Sequence, residues 1–476
     1  MNPLPIELTG LLPLWIVILG ALSLLALEMF FKEGGRSSAP VLTGAFLILA
    51  LGSCFHLLAQ PAMPGSLFKG TVVVDLFSLT LQGACLLSAL LACVFSPLYL
   101  RREKAVTGEY YALILLSLAG MFVLVLASEF LTFFVGLELM SLCGYVLAGY
   151  IRVRERSVEA ALKYFMLGVF ASAFLLYGIA VLYGASGSTH FPDLRMFLEG
   201  GQTSSAWARW GAAFLLVGLG FKVALVPFHA WAPDVYEGAP GPVTAFLSTG
   251  VKAAGFGAFT RLFAEVFGLP GAWTGALAVL AVLTMVIGNF GALAQQNVKR
   301  MLAYSSVAHA GYLAVGLAVA ALCHADEVER AVAFYLLAYT LMTAGAFGWL
   351  SWASGPGEAQ GEIEDLRGLG FRNPLMGLAM AVFLFSLAGM TPTAGFFGKY
   401  YLFKLAADHG FVWLAITAVL NSFVSAYYYL RVVAALYTKP EAASQGAELW
   451  AGWGLKAAFL ACALLTLVVG FLKFPF

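Results

Sequence analysis

Several side chains able to gain and lose a proton stand inside runs that are otherwise almost wholly apolar. Glu138 lies in FLTFFVGLELMSLCGY, Lys222 in VGLGFKVALVPFHAWAPD, Lys252 in STGVKAAGFGAF and His309 in LAYSSVAHAGYLAVG. Lys399 ends FSLAGMTPTAGFFGK, Lys163 stands early in AALKYFML, and His229 follows Pro227 closely. The chemistry these residue types share is proton transfer. A free lysine titrates near pH 10.4. Burial favours the neutral amine and a nearby carboxylate favours the ammonium, while histidine titrates near neutrality unaided. Strung through an apolar interior, such groups form a relay. A metal-cation cage takes several carboxylates and carbonyls instead, and one central glutamate among several lysines argues against it.

A structural ion pair or a snorkelling side chain is the plainer reading of each. It suits Lys163, near an interface, and a satisfied interior histidine accounts equally for His309 or His229. It suits Glu138, Lys222, Lys252 and Lys399 poorly, because charge at membrane depth costs several kcal/mol. Asp234 reads as a cap or pin. Asp75, Glu109, Glu28 and Arg431 read as interfacial, and Arg261 with Glu265 as an i,i+4 structural pair.

What positions these residues is a set of membrane helices. Charged residues are 11% of the chain and hydrophobic ones 61%, far from soluble composition, so lipid is the expected solvent. The net charge of +1 gives no sign of a nucleic-acid partner. Cys54, Cys85, Cys93, Cys143, Cys323 and Cys462 form no C-x-x-C pair and read as small hydrophobes, not zinc or iron–sulfur ligands. No dinucleotide or phosphate-loop pattern is present, so no cofactor is expected in this chain. The run from Leu11 to Phe31 lacks a basic flank and a clear cleavage site and reads as a retained helix.

At about 20 apolar residues per crossing, about fourteen spans are expected. They lie near 12–31, 40–59, 73–98, 110–128, 130–150, 162–184, 207–234, 241–267, 272–295, 301–321, 328–353, 374–407, 412–437 and 454–473. One set of loops carries Lys32, Arg36, Arg101, Arg102, Lys104, Arg152, Arg154, Arg156, Lys299, Arg300, Arg367, Arg372 and Lys439. The other carries only Lys69, Arg195, Arg209, Arg330, Lys404 and Lys473. The positive-inside rule puts the first set in the cytoplasm and both termini outside. No loop is long enough for a soluble domain, and the longest, 185–206, is Gly/Ser-rich and polar.

Spans 7 and 12 carry Pro227 and Pro392 in their interiors, where proline removes a donor and clashes with the preceding turn. Broken helices in corresponding halves point to a transport site. EAALKYFMLG (159–168) matches ERAVAFYLLA (329–338), Cys143-Gly144-Tyr145 matches Ala310-Gly311-Tyr312, and Pro227 matches Pro392, all at offsets of 165 to 170 residues. The chain therefore reads as all-α and polytopic, with two five-helix repeats. Residues 1–105 hold spans 1–3, 106–270 the first repeat, 271–440 the second and 441–476 span 14. An odd number of spans per repeat inverts one against the other.

FKVALVPFHAWAPDVYEGAPGPVTAFLS (221–248), NVKRMLAYSSVAHAGY (297–312) and FVGLELMSLCGYVLAGY (134–150) together resemble the antiporter-like membrane subunits of respiratory complex I, the NADH–quinone oxidoreductase. The resemblance covers roughly residues 70–440. DVYEGAP after span 7, Lys399 where a sister branch has glutamate, and the end just after span 14 resemble the bacterial subunit-N branch. The resemblance implies a proton translocase coupled to quinone reduction elsewhere in the complex, with flavin and iron–sulfur clusters in other subunits and other membrane subunits as partners. It implies that Glu138 modulates a pumping Lys222, that Lys252 connects, that Lys399 lies on the exit side, and that Lys163, His229 and His309 help the relay. Multi-subunit sodium/proton antiporters and membrane-bound hydrogenases share these motifs and stay open as alternatives.

Overall fold

The computed structural model describes residues 6–30, 34–60, 63–201, 205–268, 273–358, 361–439 and 452–471. Lys32, Lys473, the side chain of Arg36 and the expected domain boundaries at 270–271 and 440–441 lie outside the described residues. Among the described residues, eleven helices are long and apolar enough to cross a membrane. They are α1 (Leu12–Phe30), α2 (Gly34–Leu58), α3 (Leu76–Arg102), α4 (Gly108–Leu126), α5 (Phe130–Ala148) and α6 (Glu155–Ser186), followed, after the segments below, by α12 (Thr274–Leu293), α13 (Val298–Val319), α14 (Ala325–Ala353), α17 (Val412–Leu436) and α18 (Trp453–Phe471). The other three expected spans are helical but interrupted. Span 7 is α8 (Ala206–Val223) and α9 (Trp231–Gly238). Span 12 is α15 (Pro374–Ala388) and α16 (Ala394–Asp408). Span 8 is α10 (Gly241–Phe246) and α11 (Lys252–Arg261), with π turns at Leu247–Val251 and Leu262–Val266.

Both proline breaks are built alike. α8 ends with Ala224 at φ 61°, where Leu225 N–H donates to the Gly220 carbonyl at 2.7 Å and Ala224 N–H to Phe221 at 3.0 Å. α15 ends with Gly389 at φ 85°, where Met390 N–H donates to Phe385 at 3.0 Å and Gly389 N–H to Ser386 at 3.0 Å. Each is a Schellman closure, which satisfies the last free carbonyls of a helix. A cis X–Pro bond follows in each, at Pro227 and Pro392. The left-handed residues and the prolines repeat at one offset, 165 residues.

The third interruption was not expected, because span 8 reads as a plain apolar run. Its first π turn loosens backbone groups that α3 then satisfies. Gly250 N–H donates to Ser88 Oγ at 3.0 Å, Cys85 Sγ contacts the Gly250 carbonyl at 3.6 Å, and Ser88 and Thr249 hydroxyls meet at 2.7 Å. Wide turns of this kind recur at functional positions, and Lys252 follows directly.

The chain is all-α as expected, apart from one small hairpin in which β1 (Gly65–Leu67) pairs antiparallel with β2 (Val72–Val74). This hairpin buries Leu67 and Val74 against Leu11, Leu57, Leu79 and Leu126. Segment 185–206 is not simply a polar loop, because Phe191–Glu199 forms α7, with Phe191, Leu194 and Leu198 buried on one face. Its overall Gly/Ser content hid that one-sided pattern.

Burial separates interior from rim. In α13 and α14, 94% of the most apolar 18-residue stretch is buried, whereas in α1, α2, α6 and α18 the share is 33%, and apolar side chains such as Leu19, Phe55, Phe170 and Leu464 turn outward. The helices that carry the buried bases are thus enclosed by those that meet lipid. Close approach comes from small residues: a Cβ at Gly120 would meet Met140 N at 2.4 Å, and one at Gly311 would meet Met285 N at 2.6 Å. These contacts lock α4 to α5 and α12 to α13, as small residues do in membrane bundles.

Candidate functional site

Lys222 lies in the last turn of α8, 3% exposed. There the helix carbonyl end favours a cation. Its ammonium donates to Ser141 Oγ at 2.6 Å, and Ser141 in turn donates to the Leu137 carbonyl. The rings of Tyr145 and Tyr164 flank the ammonium at 5.8 and 5.7 Å. Gly168 of α6 leaves the space that the Tyr145 hydroxyl fills. Glu138 stands one turn before Ser141 on α5. It is only partly buried and accepts from Ser172 Oγ at 2.5 Å. The expected partners therefore form no ion pair, and each is held by its own serine, Lys222 by Ser141 and Glu138 by Ser172.

A Cβ at Gly255 would lie 3.3 Å from Lys222 Cγ, so the stem of Lys222 rests one helical turn from Lys252. Lys252 is 1% exposed, and its ammonium donates to both the carbonyl and the hydroxyl of Ser306 at 2.6 Å. Tyr339 donates to the same hydroxyl at 2.8 Å. Ser306 lies one turn before His309 on α13. His309 is fully buried, with Nδ1 at 2.5 Å from Tyr335 Oη and Nε2 at 3.1 Å from Tyr429 Oη. The rings of Tyr312 and Tyr339 complete its surroundings.

Lys399 lies beyond Tyr312, with its ammonium 4.9 Å from that ring. It donates to the Leu387 and Ala388 carbonyls at 2.9 and 3.0 Å and to Ser422 Oγ at 2.8 Å. The lysine of one half-helix thus holds the carbonyl end of the other. Asn289 steadies the neighbouring tyrosines, donating to Tyr312 Oη at 3.2 Å and accepting from Tyr428 at 3.1 Å.

The remaining expected residues lie off this line. Lys163 is 42% exposed and pairs with Glu159 and Asp234, each at 2.7 Å. Asp234 also pairs with Arg300 at 2.8 Å, and Arg300 with Glu237 at 2.7 Å. Asp234 therefore ties three helices together rather than simply capping one. These residues and Arg156 line an open pocket of about 210 Å³. His229 lies half-buried inside the span 7 break, its Nδ1 beside the Pro227 backbone but outside hydrogen-bonding geometry. Pro227 and Pro392 both face the outside of the chain. Arg261 is 4% exposed and pairs with Glu265 at 3.5 Å, but more closely with Asp75 at 2.8 Å.

Sequence reasoning passed over Ser141, Ser306, Ser422, Tyr335, Tyr339 and Tyr429, which hold or bridge the charged groups. A signal existed for some of them. Ser141 and Ser306 each stand three residues from a singled-out side chain, and Tyr335 and Tyr339 repeat at i,i+4 on span 11.

Residues 127–425 match the family described as NADH:quinone oxidoreductase/Mrp antiporter, TM. NADH-quinone oxidoreductase subunit N of Trichlorobacter lovleyi is 44% identical over 437 residues, covering 91% of this chain and 88% of that protein. Among solved structures, a chain of respiratory complex I from Thermus thermophilus is 37% identical, with a TM-score of 0.80 and 96% of both chains covered. A chain of the Mrp complex from Dietzia superposes at a TM-score of 0.84 with 24% identity, over 97% of this chain and 94% of that one, a likeness of fold. The chain therefore belongs to the NADH:quinone oxidoreductase/Mrp antiporter membrane family and, within it, to the relatives of NADH-quinone oxidoreductase subunit N.

Proposed function

We propose that this chain is a proton-translocating subunit of bacterial NADH–quinone oxidoreductase, set in the inner membrane with both termini outside. Its partners are the other membrane subunits, and redox groups are left to other chains. The observation that carries this reading is that Lys222, Lys252, His309 and Lys399 are all buried, and each has a serine or tyrosine hydroxyl within hydrogen-bonding distance. An ionised Glu138 attracts a proton onto the buried amine of Lys222. When the carboxylate moves away or is neutralised, an isolated charge in a low-dielectric interior is unfavourable, and the proton passes on. Each transfer moves one proton from an N–H or O–H to a neighbouring lone pair. The pocket beside Lys163, Asp234 and Arg300 is the cytoplasmic inlet in this reading, and Lys399 the exit side. Residues 106–270 and 271–440 are the two inverted units. The matching closures at Ala224 and Gly389 support that division.

A second reading, a subunit of a multi-subunit sodium/proton antiporter, draws support from the family description that spans both groups; a membrane-bound hydrogenase subunit is a further alternative. Purification of the chain with its native partners separates them. Co-purifying flavin and NADH–quinone activity is the expected result. A flavin-free assembly that exchanges sodium for protons would establish the antiporter reading instead.

A further inference from the structure

Away from the relay, Cys323, Glu327 and His409 converge, with one ligand atom from each lying within 4.8 Å of the others. They come from the turn after α13, the first turn of α14 and the residue that closes α16. His409 is oriented for coordination: its Nδ1 lies 2.9 Å from the Leu405 carbonyl, so in the neutral ring Nδ1 carries the proton and Nε2 presents its lone pair. Such a bond to the far nitrogen is the usual support of a metal-bound imidazole. Nε2 faces Glu327 Oε2 at 3.9 Å. The cation one turn along the helix, Arg330, is engaged by Asp326 at 2.7 Å, and the ion-pair contact of Glu327 is the one to His409. All three side chains are partly exposed, which allows an ion to reach them. Cys323 differs here from the other five cysteines, which are buried, and its sequence reading as a plain hydrophobe is revised.

One thiolate, one imidazole and one carboxylate suit zinc, whereas calcium and magnesium prefer all-oxygen shells. Bond lengths of roughly 2.0 to 2.3 Å place tetrahedral ligand atoms roughly 3.3 to 3.7 Å apart. The trio therefore needs to close by about 1 Å, within reach of partly exposed rotamers. We propose that Cys323, Glu327 and His409 bind a zinc-class divalent ion, with water as the fourth ligand, where α13, α14 and α16 meet. Binding replaces the thiol proton with the metal and releases that proton to solvent. The ion ties the end of α14, which carries Tyr335 and Tyr339, to the end of α16, which carries Lys399.

The test uses the intact complex containing this chain, stripped with a chelator and titrated with zinc. Bound zinc is counted, and its X-ray absorption edge is recorded. One sulfur per zinc at this site is expected. Cys323→Ser and His409→Ala should each weaken that binding about tenfold or more, since even the loss of a group that only supports a ligand costs about 10–100-fold. A zinc shell without sulfur, or equal zinc binding in either variant, would overturn the site. Zinc binding is read without proton pumping, so its failure leaves the relay reading standing.

Discussion

Lys222 and Glu138 form no ion pair; Lys222 donates to Ser141, one turn beyond Glu138 on α5, while Glu138 accepts from Ser172. Ser141→Ala removes the ammonium's acceptor and leaves a buried donor unsatisfied, a loss of about 1–3 kcal/mol. Proton pumping in vesicles should fall about tenfold, the equivalent of about 1.4 kcal/mol, while Ser141→Thr keeps most of the rate. Full pumping by the alanine variant would reduce Ser141 to packing. Gly389 offers a second probe, because a Cβ there would sit 3.1 Å from Lys399 Cδ and 3.2 Å from its Nζ. The left-handed backbone costs an L-residue roughly 1–2 kcal/mol, yet the matching position in the other half already holds Ala224. Strain alone is thus tolerable, and the specific effect of Gly389→Ala is to crowd Lys399. The variant should assemble but pump several-fold more slowly, as measured by acidification of inside-out vesicles. An unchanged rate would mean that the place of Lys399 against the α15 carbonyls is unimportant.

At the scale of the element, Arg261 joins the end of α11 to the start of α3. Asp75 accepts its guanidinium and also caps α3, with Ser78 N–H donating to Asp75 at 2.8 Å. Breaking a buried ion pair costs roughly 3–5 kcal/mol. Asp75 and Glu265 are each 35% exposed, so solvent reduces the loss to about 2 kcal/mol. Arg261→Leu should lower the thermal unfolding midpoint in detergent, and an unchanged midpoint would show that the clamp contributes nothing. The two proline breaks were legible because proline has a fixed meaning inside an apolar run. The first π turn of span 8 was not, because its loosened groups are met by Ser88 and Cys85 reaching across from α3, a contact no local pattern encodes. The helix at Phe191–Glu199 was hidden for a related reason, since three apolar residues make a face only when a neighbour covers them.

For the whole molecule, membrane character and the interior placement of most of the central titratable residues were readable from charge placed in apolar runs. Lys222, Lys252, His309 and Lys399 are all interior, as the unfavourable exposure of charge to hydrocarbon requires. Lys163 belongs to the surface network around Asp234 and Arg300, because its early place in a long helix brings it out at the rim. The hydroxyl bridges were harder to foresee, since serine and tyrosine are ordinary in membrane helices and gain meaning only from what they face. The account stands or falls on whether Lys222 carries protons. The direct measurement is proton pumping and NADH–quinone turnover in membrane vesicles bearing Lys222→Ala, with Glu138→Ala and Glu138→Asp beside it and assembly verified independently. The expected result is an assembled complex in which Lys222→Ala and Glu138→Ala lose most pumping and coupled turnover, with Glu138→Asp milder because it keeps the charge on a shorter arm. Full pumping by a well-assembled Lys222→Ala complex would contradict the account and make that lysine structural.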